Sequence, residues 1–235
     1  MNKFIVVTGG TKGIGRAVIE KFAACGFDIA TCARNREDLE RLKEEIENRH
    51  KGTKVYVLET DMSNKNQVKS FADFVLTTQR SIDVLVNNSG YFEPGEISTE
   101  PDGTLEKMIA ANVYSAYYAT RGLVASMKTR KHGHIFNMCS IASIKAYPNG
   151  GSYAISKFAL LGFSKCLREE LMEYNIRVTA VLPGATKTAS WDGVELPDER
   201  FMKTEDVAEA VYSAHILSER SVVEEIVIRP QFGDL

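Results

Sequence analysis

Short apolar runs alternate along the chain with longer segments in which apolar residues recur every three or four positions. The short runs predict strands at Lys3–Thr8, Phe27–Ala33, Lys54–Glu59, Ile82–Val86, Gly133–Cys139, Ile176–Leu182 and Glu225–Arg229. The amphipathic segments predict helices at Gly15–Cys25, Asn35–Arg49, Lys65–Thr78, Thr104–Arg130, Ser152–Tyr174 and Thr204–Leu217. Several strands are apolar throughout, as expected of parallel strands covered on both faces. This alternation predicts an α/β fold, a doubly wound parallel sheet of about seven strands with helices on both faces.

Residues that favour helix termini stand at several of these boundaries. Asn64 and Thr204 are predicted N-caps. Glu205 and Asp206 would lie in the first turn of the last helix, where negative charge is favourable. The longest irregular segment follows the sixth strand, and such loops in compact α/β domains are often lids or binding loops. We therefore expect a single domain over residues 1–235 with a short substrate lid around residues 188–203.

Charge and cysteine usage argue against several classes of function. The formal net charge is −2 and both signs are mixed along the helices, so neither a nucleic acid nor a membrane surface is an expected partner. The four cysteines form no C-x-x-C pair, so neither a disulfide framework nor a metal site is expected. The apolar run Phe4–Val7 is too short for a signal peptide or a membrane span. These features predict a soluble, cytoplasmic protein.

A glycine-rich segment, Thr8–Gly15, follows the first strand directly and opens the first helix. Glycines there permit a tight turn and let backbone N–H groups approach a pyrophosphate, which the positive end of the helix dipole also favours. Three nearby glycines can also form an ordinary turn. Since this is the first connection of a predicted doubly wound sheet, its position favours a dinucleotide site.

The end of the second strand indicates which nicotinamide cofactor fits. An acidic residue there would accept hydrogen bonds from the ribose of NAD, whereas an arginine accommodates the 2′-phosphate of NADP. The chain has Arg34 at this point and no acid, and Lys12 of the glycine segment could assist in binding a phosphate. Arg34 could also be only a solvated residue at a helix start, as Arg36 is expected to be. The missing acid favours NADP(H).

A tyrosine and a lysine four positions apart, Tyr153 and Lys157, share one face of a predicted helix. A free tyrosine has a pKa of about 10. A nearby ammonium group and the positive charge of oxidised nicotinamide would both lower it towards neutrality, where the phenol can exchange a proton. Ser140 ends the fifth strand at the edge where open α/β sheets bind ligands. Asn112 is an unexpected amide within an apolar helix. Alone, each feature could equally belong to a surface helix or a satisfied polar group.

Together these segments resemble the short-chain dehydrogenase/reductase family. Its cofactor loop, T-G-x-x-x-G-x-G, is matched in full at Thr8–Gly15, and its P-G-x-x-x-T motif at Pro183–Thr188. The Y-x-x-x-K pair and its distance from Ser140 also match, whereas Asn87–Gly90 reads N-N-S-G in place of N-N-A-G. The resemblance runs from Thr8 to about Thr188. It implies a Rossmann fold and hydride transfer between NADP(H) and a carbonyl or secondary alcohol.

The resemblance also implies a role for each site residue. Tyr153 would act as the acid or base and Ser140 would hold the substrate oxygen. Lys157 would hold the nicotinamide ribose, and Asn112 would help a water link Lys157 to solvent. The residues implied to contact NADP(H) are Gly9, Thr11, Lys12, Gly13, Ile14, Gly15, Arg34, Asn35, Asp61, Met62, Asn88, Gly90, Tyr153, Lys157, Pro183, Gly184, Ala185, Thr186 and Thr188.

Two helices are expected to pair subunits, because in this family the helices equivalent to Thr104–Arg130 and Ser152–Tyr174 meet around a two-fold axis. Both helices carry apolar residues on more than one side. Examples are Tyr117, Tyr118, Leu160, Leu161 and Phe163. A homodimer or homotetramer is therefore expected, with a small-molecule carbonyl or alcohol as the substrate.

Substrate choice depends on the lid and the C-terminus, where the resemblance is weaker. The lid candidates are Trp191, Asp192, Glu195, Leu196 and Phe201, of which Trp191 either covers an apolar substrate or anchors the loop. Further candidates, each of which could also be core, are Tyr91, Phe92, Met138 and Tyr147.

Three known classes of enzyme in this family differ in their C-terminal segments. The length and plan are similar to those of 3-oxoacyl-[acyl-carrier-protein] reductases, but the segment 222–231 lacks their glycine-rich V-[DN]-G-G sequence. It looks more like that of carbonyl reductases or sepiapterin reductase-like enzymes. The expected function is an NADP(H)-dependent carbonyl reductase. The alternative is a non-catalytic NADP(H)-binding redox sensor, which would be expected to carry a damaged catalytic set.

Overall fold

The computed structural model describes residues 2–191, 193 and 196–234. Within them, seven parallel strands form one sheet in the order β3-β2-β1-β4-β5-β6-β7. The strands are Lys3–Thr8 (β1), Phe27–Ala33 (β2), Val55–Glu59 (β3), Val84–Asn87 (β4), Gly133–Met138 (β5), Ile176–Pro183 (β6) and Glu225–Ile228 (β7). The strand order reverses between β1 and β4, so a crevice opens at their carboxyl ends.

Helices cover both faces of the sheet, which confirms the doubly wound α/β fold expected from the sequence. The α-helices are Gly13–Ala24 (α1), Arg36–Arg49 (α2), Lys65–Thr77 (α3), Thr104–Ile109 (α4), Ser115–Arg130 (α5), Gly151–Leu171 (α6) and Thr204–His215 (α7). Short 3-10 turns occur at Ile141–Ser143, Met172–Tyr174, Ala189–Trp191 and Asp198–Arg200. Within the described residues, no helix combines the length and apolar content needed to cross a membrane.

The strictly alternating side chains of β1 supply both halves of the core. Ile5 and Val7 pack on one face with α1, α2 and α7, whereas Phe4 and Val6 pack on the other with α3, α5 and α6. All four side chains are fully buried. Burial of each such side chain contributes about 1.5–3 kcal/mol relative to exposure. A strand covered on both faces holds the site rigidly because neither face can shift without losing these contacts.

A π-helical segment, Ala110–Tyr114, joins α4 to α5, so the predicted single α-helix Thr104–Arg130 was wrong in this detail. π-segments occur mostly as single wide turns inside α-helices, frequently at functional sites. This one contains Asn112.

Helix capping agrees with the sequence at one predicted end and differs at the other. Asn64 caps α3, its side chain accepting bonds from two backbone N–H groups of the first turn. Thr204 is instead the first residue of α7, and the preceding Lys203 is its N-cap. The backbone N–H of Lys203 donates to the Asp206 carboxylate at 3.3 Å. The acid in the first turn thus satisfies the N–H of the cap residue, and Thr204 is not the N-cap that the sequence predicted.

Candidate active site

The glycine segment is fixed to the end of β4 by side-chain hydrogen bonds. The Thr8 hydroxyl accepts from the backbone N–H groups of Asn88 and Ser89, both at 3.0 Å. The Asn88 amide donates to the carbonyls of Thr8 and Gly9, also at 3.0 Å. A Cβ at Gly15 would lie 2.4 Å from the Asn88 amide nitrogen, so only glycine fits there. Asn88 therefore shapes the loop as well as bordering the crevice.

The N-terminus of α1 faces this crevice without a capping side chain. Lys12 occupies the N-cap position and provides no cap hydrogen bond to the described first turn, which contains no acidic residue. The first N–H groups of a helix lack intrahelical acceptors and, with the helix dipole, suit an anion. Thr188, from the segment after β6, lies against Gly13 and borders the same loop.

Two cations flank the junction between the glycine segment and the end of β2. The backbone N–H groups of Gly9 and Gly10 donate to the Cys32 carbonyl, which brings the two segments together. Arg34, two residues further on, is exposed, and its guanidinium has no ion-pair partner in the part of the chain that the structure describes. The ammonium of Lys12 is 3.5 Å from the Asp38 carboxylate.

Other predicted cofactor residues have local structural roles in this structure. The Asn35 side chain caps α2 by accepting from the Asp38 backbone N–H at 2.8 Å. The Asp61 carboxylate accepts from the backbone N–H and the hydroxyl of Ser63 at 2.9 and 2.7 Å. Met62 is buried, its sulfur 3.5 Å from the Cys32 sulfur. Their contacts with NADP(H) remain predictions.

Helix α6 brings Tyr153 and Lys157 to the carboxyl end of β5. The buried Lys157 ammonium donates to the Met138 carbonyl at 2.8 Å and lies 5.6 Å from the centroid of the Tyr153 ring. Burial lowers the pKa of Lys157 to about 8. A group with that pKa is still mostly protonated at neutral pH, so a positive charge stays beside the phenol.

The pKa of Tyr153 differs from the expectation drawn from the sequence. Burial raises it above its ordinary value, and the nearby Ser140 hydroxyl opposes that rise only in part. The expected fall towards neutrality is therefore absent in the free protein, because desolvation of the phenolate outweighs the favourable neighbours. The phenol keeps its proton at neutral pH and is ready to act as an acid.

Ser140 is oriented by the 3-10 turn that follows β5. Its hydroxyl oxygen accepts from the backbone N–H of Ala142 at 3.1 Å, and its own N–H donates to the Ser143 hydroxyl at 3.2 Å. The bond from Ala142 uses a lone pair of the Ser140 hydroxyl oxygen. The hydroxyl hydrogen can therefore point towards a substrate oxygen. Ser140, Tyr153 and Lys157 thus lie close together at the carboxyl end of β5.

Asn112 binds both Tyr91, in the loop between β4 and α4, and Ser156 of helix α6. Its amide oxygen accepts from the Tyr91 N–H at 2.8 Å, and its nitrogen donates to the Tyr91 carbonyl at 3.1 Å and to the Ser156 hydroxyl at 2.9 Å. The side chain is fully buried. A Cβ built at Gly90 would lie 2.6 Å from the Asn112 oxygen and 3.8 Å from the Lys157 nitrogen, so the three residues meet.

One aromatic residue, Phe92, packs directly on the Tyr153 ring. Phe92 packs its ring edge-on at 4.8 Å between centroids. Tyr91 and Tyr147 are more than one-third exposed, whereas Met138 is 5% exposed and belongs to the core. Of the two roles that the sequence left open for Met138, pocket or core, the structure therefore favours the core on the α1 face of the sheet.

The segment after β6 is anchored beside the glycine loop. Thr186 forms a parallel bridge with Met202, and the Lys187 N–H donates to the Met202 carbonyl at 2.9 Å. Trp191 packs on the buried Phe201 at 5.2 Å, which favours the anchoring role for Trp191 over substrate contact. The lid candidates Asp192 and Glu195 lie outside the described residues.

The motif Pro183–Thr188 begins at the last residue of β6. The Gly184 N–H donates to the Ile228 carbonyl at 2.8 Å, which joins the motif to the end of β7. Ala185 and Thr186 are buried between these segments.

Two residues near the site were not predicted from the sequence. Ser156 accepts from the Asn112 amide and donates to the Tyr153 carbonyl at 2.7 Å. Glu100 accepts hydrogen bonds from Ser152 at the start of α6. Ser156 is 44 positions from Asn112 in the chain, and Glu100 is 52 positions from Ser152. The one signal in the sequence was the position of Ser156 between the tyrosine and the lysine.

Comparison with known proteins identifies related sequences along the whole chain. Residues 3–197 match the family model described as short chain dehydrogenase. The chain is 32% identical to a sepiapterin reductase of Chlorobaculum tepidum, over 100% of this chain and 99% of the relative. It is also 32% identical to 3beta-hydroxysteroid dehydrogenase 2 of Eggerthella lenta, over 84% of this chain and 76% of the relative.

Solved structures show the same architecture. An alcohol dehydrogenase from the archaeon Thermococcus sibiricus, complexed with 5-hydroxy-NADP, superposes with a TM-score of 0.92 at 26% identity, over 99% of this chain and 98% of the other. The L-sorbose reductase of Gluconobacter frateurii, complexed with NADPH and L-sorbose, gives a TM-score of 0.90 at 26% identity, over 97% and 95% of the two chains.

Proposed function

The chain belongs to the short-chain dehydrogenase family of oxidoreductases, and on that premise we propose that it is an NADP(H)-dependent carbonyl reductase. It would transfer hydride between NADP(H) and a carbonyl or secondary alcohol. The observation that carries the proposal is the convergence of Ser140, Tyr153 and Lys157 beside the glycine loop. A phenol, an ammonium group and a hydroxyl at one sheet edge provide the proton, the charge and the hydrogen bond that reduction of a ketone requires.

The preference for NADP(H) is supported by the charges around the glycine loop. The open N-terminus of α1 suits the pyrophosphate, and the cations Arg34 and Lys12 suit a 2′-phosphate. Relatives of known structure that contain NADP or NADPH, such as the L-sorbose reductase, agree with this choice. The further contacts expected are those of the segments around Asp61, Asn88 and Pro183–Thr188.

In the proposed mechanism, Tyr153 donates its proton to the carbonyl oxygen of the substrate. Bound NADPH supplies the hydride that the carbonyl carbon receives. Lys157, held by the Met138 carbonyl, keeps its positive charge beside the phenolate that remains. Ser140 donates its hydroxyl hydrogen to the same substrate oxygen and so orients it towards Tyr153. In the reverse direction Tyr153 would remove the proton of an alcohol.

The chain is proposed to act as a single domain, with the segment 188–203 as a lid anchored through Trp191 and Phe201. Its relatives include enzymes named for pterins, steroids and a sugar. The substrate class is therefore identified by assay. Phe92 and Tyr147 beside Tyr153 suggest a substrate with an apolar or planar group.

The test is NADPH oxidation, compared with NADH, over 3-oxoacyl thioesters, diketones, pterins and simple aldehydes. Turnover of one class with NADPH is the expected result and would define the substrate pocket. If NADPH bound tightly and no carbonyl were reduced, the redox-sensor alternative would replace the proposal.

A further inference from the structure

The catalytic helix α6 starts without a cap of its own. It begins at Gly151, its N-cap position is Gly150, and the described first turn contains no acidic residue. The first N–H groups of a helix need acceptors from elsewhere, and a negative charge near them is stabilising. This first turn carries Tyr153, so its order determines where the phenol lies.

A carboxylate from a distant loop takes over the capping of α6. One Glu100 oxygen accepts from the Ser152 backbone N–H at 3.4 Å, and the other accepts from the Ser152 hydroxyl. Ser152 is 1% exposed and Glu100 is half-buried, so this contact is partly shielded from water. A Cβ at Gly151 would lie 2.9 Å from a Glu100 oxygen, and glycine is therefore needed for the carboxylate to come this close.

Glu100 belongs to the loop that forms the open side of the site, residues 91–103. A turn at Glu96 presents it, since the Glu96 carbonyl accepts from the N–H groups of Thr99 and Glu100 at 2.9 and 2.8 Å. The loop touches the start of α6 a second time, where the Gly95 N–H donates to the Asn149 carbonyl at 3.0 Å. The same loop carries Phe92, whose ring packs against Tyr153.

We propose that Glu100 is a positioning residue, which caps α6 from this loop and thereby holds Tyr153 at the reacting position. The proposal rests on the proposed function, in which Tyr153 is the acid. This carboxylate joins the loop to the first turn of α6, beside the contacts of Gly95 with Asn149 and of Phe92 with Tyr153. A substrate that moves the loop therefore also moves the start of the helix.

The two catalytic side chains of α6 differ in their dependence on this cap. Lys157 lies one turn further along and is held independently by the Met138 carbonyl. Tyr153 directly follows Ser152, and its ring contacts Phe92 of the same loop. Loss of the cap is therefore expected to displace the phenol and to leave the lysine and the glycine loop in place.

The test compares Glu100→Ala and Glu100→Gln with the control Glu96→Ala, which removes an exposed carboxylate from the same loop. We expect Glu100→Ala to lower kcat by about tenfold to a hundredfold, as small misplacements of reacting groups do. NADPH affinity should stay close to that of the unmodified protein. Glu100→Gln should recover most of kcat, because the amide oxygen can accept from the Ser152 N–H while the amide nitrogen donates to its hydroxyl. Glu96→Ala should behave as the unmodified protein.

Hydrogen exchange of the backbone amides of residues 152–155 gives a second readout that needs no turnover. Glu100→Ala should speed this exchange and Glu100→Gln should not. Unchanged kcat and exchange in Glu100→Ala, or an equal kcat loss in Glu100→Gln and Glu100→Ala, would overturn the proposal. If Glu100→Ala does not fold, Glu100→Asp replaces it, and full activity of this shortened carboxylate would overturn the proposal. A lack of turnover in the unmodified protein would instead contradict the proposed function, and the exchange measurement would still test the cap.

Discussion

At the scale of single residues, the sequence predicted the groups whose chemistry depends on local spacing. Tyr153 and Lys157 share a helix face because they are four positions apart, and Ser140 lies at a strand end, so their convergence follows from the βα order. The capping role of Glu100 depends on a contact across 52 positions, which only the folded loop creates. The raised pKa of Tyr153 could not be predicted from the sequence either, because it results from burial of the phenol in the folded chain.

Arg34 should determine the preference for NADPH at this scale. Arg34→Asp removes a cation from the proposed 2′-phosphate site and introduces a repulsive charge. A charge-assisted hydrogen bond contributes about 1.5–3 kcal/mol, so NADPH affinity should fall by roughly tenfold or more, with NADH affinity little changed. Fluorescence titration with both cofactors at fixed ionic strength measures the two effects.

The control for this change is Arg36→Asp, which alters an exposed arginine at the start of the same helix α2. It should leave both affinities nearly unchanged. Equal weakening of NADPH and NADH by Arg34→Asp would contradict the phosphate-binding role.

At the scale of elements, the hydrophobic pattern predicted each strand of the sheet to within a few residues. The pattern could not reveal the π-segment within the predicted helix Thr104–Arg130, because a wide turn changes the hydrogen-bond ladder and barely alters the spacing of apolar residues. The π-segment contains Asn112, whose amide binds both backbone groups of Tyr91 and the hydroxyl of Ser156.

Two histidines are buried where β5, β6 and α7 meet. The Thr179 hydroxyl donates to the Val223 carbonyl at 2.5 Å, so it accepts from the His134 Nε2 at 2.8 Å, and His134 is protonated on that nitrogen. The Nδ1 atoms of His134 and His215 have no partner within the described residues. Burial lowers the pKa of His134 well below its ordinary value and that of His215 to about 4, with Arg177 acting in the same direction.

These histidines should make the protein less stable in mild acid. Their folded pKa values are below the unfolded value of about 6.5, so the unfolded chain binds more protons as the pH falls below about 6.5. The stabilisation is present above that pH and is lost as the pH falls towards 4. For His215 the full effect is about 3 kcal/mol.

Urea unfolding at about pH 7.5 and about pH 5 measures this loss. His215→Phe, which keeps a ring against Phe22 and Phe27, should lose less stability between the two pH values than the unmodified protein. An identical loss in both proteins would show that His215 does not titrate on unfolding.

At the scale of the whole molecule, α5 and α6 share an apolar surface. Its exposed members are Tyr117, Ile155 and Phe158, and Tyr114 at the end of the π-segment is exposed directly before α5. Tyr117 also packs against the half-buried Tyr118 and Phe163. Leu160 and Leu161, which the sequence analysis named among the apolar residues of these helices, are buried and belong to a core cluster with Ala180 and Leu182 of β6. An apolar patch of this kind is typical of a subunit interface.

We predict a homodimer or homotetramer in solution that depends on this surface. Phe158→Glu should dissociate it, since burying an unpaired carboxylate in an apolar interface is unfavourable. Light scattering after gel filtration gives the mass. The matched control is Leu76→Glu, which places the same charge on the exposed face of α3 and should leave the mass unchanged. A monomeric unmodified protein at micromolar concentration, or equal dissociation by both variants, would contradict the prediction.

The whole fold supports one central claim, that Tyr153 is the proton donor in NADPH-dependent carbonyl reduction. The sheet places the glycine loop after β1 and Ser140 after β5 at one edge, and α6 adds the phenol. Substrate choice could not be predicted in the same way, since the residues around the site depend on contacts between distant parts of the chain, such as those of Gly95 with Asn149 and of Gly13 with Thr188.

The most direct measurement is turnover of Tyr153→Phe with NADPH and the preferred carbonyl substrate, beside its NADPH affinity. Phenylalanine keeps the ring that packs on Phe92, so the fold and the cofactor affinity should be preserved. General-acid catalysis contributes about 10²–10⁴-fold, and kcat should fall by about that factor. Tyr147→Phe, which changes a neighbouring phenol, should retain turnover. Unchanged turnover in Tyr153→Phe would contradict the account.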